Sequence, residues 1–239
     1  LHKDIFIDHE YDIVLKDNKE NKVIFDVGAN VGLFCLRANQ ICNNNIIYSF
    51  EPIKEIYGYL EKNLNVLNRL NKNKFIPTCI GLGEKEEEIM INYYPNMSAT
   101  STTCADIGNK IELNIKSPLF DFHPIIKKIF LLFVPLVQLF LFQKKVEKIK
   151  INTISHFIKK FNVNKIDLLK IDVECFEYIV LKGIQNYDWK KINSLIIEIE
   201  SYRVGALDNI KSLLTKNNYK IIDLPVSVVG WINIYAKKI

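Results

Sequence analysis

The sequence predicts an α/β fold built on a mainly parallel β-sheet. Three observations carry that prediction. Short apolar runs rich in β-branched residues alternate with stretches of helical period, the pattern of a parallel sheet with right-handed crossovers. The first clear run, Val23–Val27 (VIFDV), leads straight into a glycine loop and a helix start. The last two, Tyr219–Leu224 and Trp231–Ala236, have no helix between them and read as an antiparallel pair.

Taken in order, Ile5 to Leu15 shows mixed alternation and reads as a strand or a covering element. Val23–Val27 reads as a buried strand, Gly28–Gly32 as a loop, and Leu33–Ile41 as a helix stopped by the Asn43–Asn45 cluster. Ile46–Phe50 is the second strand. Ile53–Leu70 is an amphipathic helix with Ile56, Leu60, Leu64, Leu67 and Leu70 on its apolar face. Phe75–Ile80 is a third strand interrupted by Pro77. Then the alternation breaks. Glu88–Tyr94 reads as a strand and Pro95–Thr103 as a polar loop. Lys148–Thr153 is a strand and Ile154–Phe161 a short helix. Ile166–Val173 (IDLLKIDV) and Leu195–Ile199 (LIIEI) are buried strands, and Val204–Lys216 is a helix. The expected organisation is one domain over residues 1–239, with residues 98–148 as an insertion or lid within it.

Composition narrows the function classes. Half of the 239 residues are hydrophobic (49%) and a quarter are charged (25%), which suits a folded core rather than a disordered chain. Lys and Arg number 32 against 27 Asp and Glu, and no basic block with interleaved aromatics occurs, so no nucleic-acid partner is expected. The five cysteines, Cys35, Cys42, Cys79, Cys104 and Cys175, are scattered without a CxxC. That argues against a disulfide framework and a zinc site, and it favours a reducing compartment. Cys35 and Cys79 lie in apolar runs and are expected to be buried. His2, His9, His123 and His156 are isolated, so no metal is expected. The chain starts at Leu1 without Met and reads as a trimmed piece, with no leader visible.

The chemistry concentrates first at VIFDVGANVGLFC. A loop passing close to a ligand needs small side chains and access to positive φ, and the helix start beyond it offers free N–H groups. Asp26 ends the first strand and Glu51 the second. An acidic residue at the second position can accept hydrogen bonds from both ribose hydroxyls. Gly28, Asn30 and Gly32 form GxNxG rather than GxGxxG, which lowers the prospect of a nicotinamide or flavin. Asp26 would repel a pyrophosphate and attract an ammonium, as on the amino-acid end of S-adenosylmethionine.

Four segments, the first of them the glycine loop itself, carry a resemblance. FDVGANVGLF at Phe25–Phe34, SFEP at Ser49–Pro52, and LLKIDVECFEYIVLKGI at Leu168–Ile184, with LIIEIE at Leu195–Glu200, together resemble the FkbM family of S-adenosylmethionine-dependent methyltransferases. The resemblance covers the chain from about Asn21 onward. It implies a class I methyltransferase Rossmann-like sheet with an antiparallel C-terminal strand. It also implies methyl transfer to a hydroxyl of a carbohydrate, glycolipid or small metabolite. By that similarity Asp26, Gly28, Asn30 and Gly32 wrap the methionine end of the cofactor. Glu51 holds the ribose, and Cys79–Gly81 meets the adenine, with Gly81 as the site residue. The family has glycine where this chain has Cys175. If that position needs positive φ, cysteine is strained there.

Asp172 lies at the carboxyl end of a strand, where open α/β sheets bind their ligands. Asp172 and Glu174 would share a face if the strand continued. Either carboxylate could orient an acceptor and take its proton, with positioning supplying much of the rate. Glu177 is expected merely to favour a helix N-terminus. Glu198 and Glu200 alternate on their strand, and Glu200 is a candidate acceptor contact.

The centre of the insertion, Ile129–Phe142, is apolar apart from Gln138. As a helix it would reach about 21 Å, short of a ~30 Å membrane core, and Pro135 would break it. A buried lid, an oligomer contact and contact with a membrane surface through residues 125–145 stay open. The expected location is the cytoplasm, free or peripheral to a membrane. Two other functions remain: a nicotinamide-dependent oxidoreductase, and a non-catalytic membrane-associated binding module of the same fold.

Overall fold

The computed structural model describes residues 5–6, 9, 11–95, 143–200, 204–223 and 231–239. The apolar segment Ile129–Phe142, most of the loop expected from Pro95, and His2, Cys104 and His123 lie outside the described residues. So does the side chain of Glu200. By internal contacts the chain forms two units, 1–89 with 148–239, and 90–147. The first unit holds the main sheet.

The elements run α1 (Asp12–Asp17), β1 (Val23–Val27), α2 (Leu33–Ile41), β2 (Ile46–Phe50), α3 (Lys54–Arg69), β3 (Lys74–Thr78) and β4 (Gly81–Leu82). They continue with β5 (Glu87–Tyr93), β6 (Lys145–Asn152), α4 (Ile154–Lys160), β7 (Leu168–Ile171), α5 (Glu177–Lys182) and β8 (Ser194–Glu200). The chain closes with α6 (Val204–Lys216), β9 (Tyr219–Asp223) and β10 (Trp231–Lys238). The main sheet has seven strands in the order β3-β2-β1-β7-β8-β10-β9. Its β1, β2, β3, β7 and β8 pair in parallel, and β10 is antiparallel to both β8 and β9. A second sheet has the order β4-β6-β5.

The alternation within β1 sorts the core. Ile24 faces one side with Ile47, Leu168, Ile196 and Tyr235, packed against Tyr11, Phe34 and Leu60. Phe25 and Val27 face the other with Phe50, Leu169, Ile171 and Ile197, packed against Phe157, Val180 and Ile210. Both faces are therefore covered, as a parallel sheet requires. In α3 the buried residues Ile56, Leu60, Leu64 and Leu67 follow the helical period, and burial contributes roughly 1.5–3 kcal/mol for each large side chain. Pro77 is tolerated because β3 is an edge strand, where a missing N–H need not interrupt a ladder.

The first segment differs from a strand. Tyr11, Val14 and Leu15 are buried at helical spacing, three and four apart, and the chain forms α1 there. This helix is tied down at both ends. Asp12 receives two hydrogen bonds from Arg37 of α2, at 2.8 and 2.7 Å, and Asp17 receives one from the Tyr235 hydroxyl at 2.8 Å.

Candidate functional site

The loop after β1 is shaped by backbone contacts that leave no room for a side chain at its first residue. Gly28 has φ +77°, and a Cβ there would lie 1.7 Å from the carbonyl oxygen of Asp172. The loop hangs from the end of β2, because the Gly28 and Ala29 N–H groups both donate to the Phe50 carbonyl, at 3.1 and 3.0 Å. Asn30 takes φ +49°, a conformation asparagine tolerates better than most residues, and its side-chain oxygen accepts from the Val31 N–H at 2.8 Å. Gly32, at φ +90°, caps α2. All three residues named from the sequence thus sit at the carboxyl ends of the parallel strands.

Glu51 follows β2 and closes the other side of this loop. Its Oε2 accepts from the Asn30 N–H at 3.1 Å and its Oε1 from the Ile53 N–H at 2.9 Å. A carboxylate oxygen accepts two hydrogen bonds, so each retains capacity for a hydroxyl. Burial pushes the Glu51 carboxyl up to about 7, against the opposing pull of the two N–H groups. Gly81 is buried in β4, where a Cβ would meet Ile151 Cδ1 at 2.5 Å and Pro52 Cβ at 3.4 Å. Cys79, by contrast with the sequence expectation, is exposed, while Cys35 is fully buried. β3 ends at Thr78, one residue earlier, so Cys79 escapes the core.

Asp26 has an internal partner that the sequence pattern did not reveal. In the parallel register Lys170 of β7 lies directly beside Asp26 and Ser49 of β2 lies on its other side. Side chains in register share a face. The buried Lys170 ammonium pairs with Asp26 Oδ1 at 3.0 Å and Asp172 Oδ2 at 3.4 Å, and donates to the Gly28 carbonyl at 3.3 Å. Burial pulls the lysine pKa down, but the Asp26 and Asp172 charges outweigh it and hold the group above the ordinary lysine value. The Asp26 carboxylate, 0% exposed, is thereby engaged by the chain's own cation. It also accepts from the Cys35 thiol at 3.4 Å, whose pKa burial and the Asp26 charge push well up. A lysine inside the run LLKIDV was the available signal. Reading it required the register between β1 and β7, which is a tertiary quantity.

Asp172 and Glu174 do not share a strand face. β7 ends at Ile171, and the Asp172 N–H donates to Val27 O at 3.1 Å. Glu174 and Cys175 then take φ +48° and +80°, turning the chain toward α5. Asp172 faces Lys170, and its side chain is 16% exposed. Cys175 stands in left-handed backbone, a conformation that glycine would adopt without strain. Glu177 opens α5, at the helix N-terminus expected for it, and is 1% exposed. On β8, Glu198 accepts from the Tyr11 hydroxyl at 3.3 Å. Among the described residues no group of three or more His, Cys, Asp and Glu could hold a metal ion, and no described helix is long and apolar enough to cross a membrane.

Comparison with known proteins places these residues in a wider context. The family model described as the methyltransferase FkbM domain matches residues 26–221. Methyltransferase 1 of Beauveria bassiana is 26% identical over 223 residues, covering 92% of this chain and 80% of that protein. The 31-O-demethyl-FK506 methyltransferase FkbM of Streptomyces tacrolimicus is 26% identical over 222 residues, covering 93% and 82%. Among solved structures, a putative rRNA-methylase from Clostridium thermocellum superposes with a TM-score of 0.51 at 8% identity, covering 98% of this chain and 95% of that one. A putative methyltransferase from Streptococcus mutans, in complex with SAH, gives a TM-score of 0.50 at 10% identity, covering 98% and 97%. At such identities the likeness shows the fold alone, the α/β class I methyltransferase fold with its antiparallel strand near the C-terminus.

Proposed function

The chain belongs to the FkbM methyltransferase family, and from that premise we propose that it moves the methyl group of S-adenosylmethionine to a hydroxyl of a small-molecule acceptor, a carbohydrate, glycolipid or metabolite. One observation carries the site assignment. The Gly28 loop and Asp172 are in backbone contact at the carboxyl ends of the neighbouring strands β1 and β7. A cofactor lying along that loop would have a carboxylate beside its reacting end.

The residues present fit such a cofactor. Gly28 and Gly32 give the loop the positive φ that turns it across the carboxyl ends of the strands, where the amino-acid end would lie, and Glu51 keeps acceptor capacity for ribose hydroxyls. Gly81 packs against Pro52 and Ile151, and its segment at the end of β3 is where the adenine would lie. S-Adenosylmethionine, when bound, supplies an electrophilic methyl carbon on a sulfonium. An acceptor oxygen would bond to that carbon as the carbon–sulfur bond broke, S-adenosylhomocysteine would be the leaving group, and the hydroxyl proton would have to be taken up. Asp172 orients the hydroxyl and receives the proton, with Glu174 as the second carboxylate at the same edge. Holding the oxygen in line supplies more rate than proton transfer, since effective concentrations in well-oriented reactions are large.

Calorimetric titration with S-adenosylhomocysteine tests the cofactor, and a radiolabelled methyl-transfer screen over hydroxyl and amine acceptors tests the acceptor. Saturable binding and labelled ether products are expected. No heat with a folded sample would remove the cofactor assignment. Label transferred to amines alone would remove the hydroxyl assignment.

A further inference from the structure

We propose that Lys170 is a positioning residue for the amino-acid end of the cofactor, tying the Gly28 loop to the Asp172 loop beneath the site. This rests on the reading of the Gly28 loop as the seat of that end.

A buried lysine is costly. Removing an ammonium from water is expensive, and a buried ion pair is commonly replaceable by apolar side chains without loss of stability. Lys170 is therefore poorly explained as a stabiliser of the sheet. Its three partners make sense as a geometric device. Asp26 is the neighbour on β1, Gly28 is the first residue of the loop, and Asp172 is the first residue beyond β7. One cation thus fixes both sides of the contact in which the Asp172 carbonyl occupies the space of an absent Cβ at Gly28. With the Gly28 carbonyl drawn down to the ammonium, the loop is held in one orientation. The Asp172 carboxylate is held on the same anchor.

The ammonium is itself held from the far side. The rings of Tyr11 and Phe34 lie with their centroids 6.0 and 5.7 Å from Nζ, within the range of a cation–π attraction. Phe34 belongs to α2, immediately after the loop. Tyr11 precedes α1 and lies before the residues matched by the family model. Its edge-to-face packing on Phe34, with ring centroids 5.3 Å apart, closes the underside of the lysine.

Two ligands separate positioning from bulk stability. S-Adenosylhomocysteine carries the amino-acid end, whereas methylthioadenosine keeps the nucleoside and lacks it. In Lys170→Met, affinity for the first is expected to fall by about tenfold or more, the equivalent of one charge-assisted contact, while affinity for the second stays within about twofold. Near-ultraviolet circular dichroism verifies the fold of the variant. Should Lys170→Met not fold, Lys170→Gln carries the same test, since its amide can donate to the Gly28 carbonyl but holds no charge for Asp26 and Asp172. The same selective loss is expected there. Equal weakening of both ligands, or unchanged binding of S-adenosylhomocysteine, would overturn the proposal while leaving the cofactor assignment intact. If the unaltered protein binds neither ligand, the cofactor assignment fails first and this inference with it.

Discussion

Replacing Gly28 with alanine tests the contact on which the site is built. Two costs add. An L-residue in left-handed backbone costs roughly 1–2 kcal/mol, and Gly28 has φ +77°. The new Cβ would also lie 1.7 Å from the Asp172 carbonyl oxygen and 2.8 Å from its carbon, far inside van der Waals contact, so the two loops must part. Parting them stretches the Asp172 N–H to Val27 O bond at 3.1 Å and the Lys170 bond to Gly28 O at 3.3 Å, each worth about 1 kcal/mol net. The expected loss is about 3–4 kcal/mol, a large part of a typical total of roughly 5–15 kcal/mol. Gly58 is the internal control. It lies in α3 with nothing within 4 Å of its would-be Cβ, so Gly58→Ala should stabilise by about 0.5–1 kcal/mol. Urea denaturation of the two variants measures both values. A loss below about 1 kcal/mol in Gly28→Ala would refute the claim of a sterically closed loop contact.

Three other outcomes are expected. Cys175→Gly should be more stable than Cys175→Ala by about 1 kcal/mol, because both remove the thiol and only glycine relaxes φ +80°; thermal melts that rank alanine higher would exclude strain there. Glu51, raised chiefly by burial from 4.5 to about 7, takes up a proton on folding between those values. Its contribution to stability is full below pH 4.5 and falls as pH rises through 7, by about 3 kcal/mol at most; carbon-13 titration of its carboxyl should show a midpoint near 7, and one below 5 would contradict the burial argument. Asp12→Ala should release Arg37 and cost about 2 kcal/mol, read as faster amide exchange in α1; unchanged exchange would mean that the paired hydrogen bonds do not hold the helix.

The sheet was largely legible because its strands are buried on both faces and so write themselves as apolar runs. Val23–Val27, Ile46–Phe50 and Leu33–Ile41 keep their expected limits. α1 was not legible, since six residues carry too little periodicity to separate a helix from a strand. The turn at Glu174–Cys175 was partly hidden for a different reason. Two consecutive non-glycine residues take positive φ there; the family resemblance pointed to that conformation at Cys175, but nothing in the sequence marks it at Glu174.

Local chemistry determined the glycine loop, the acidic residue ending each of the first two strand segments and the carboxylate after IDLLKI. Each is a short-range requirement of backbone conformation or strand order. Tertiary structure alone decided what those groups face. The register of β1 against β7 puts Lys170 beside Asp26, and the approach of two loops puts the Asp172 carbonyl against Gly28. Asp26, which the sequence offered to a cofactor's ammonium, is met within the chain by an ammonium 144 residues away, since 170 − 26 = 144. Partners at that separation are chosen by strand pairing, and no local pattern records the pairing.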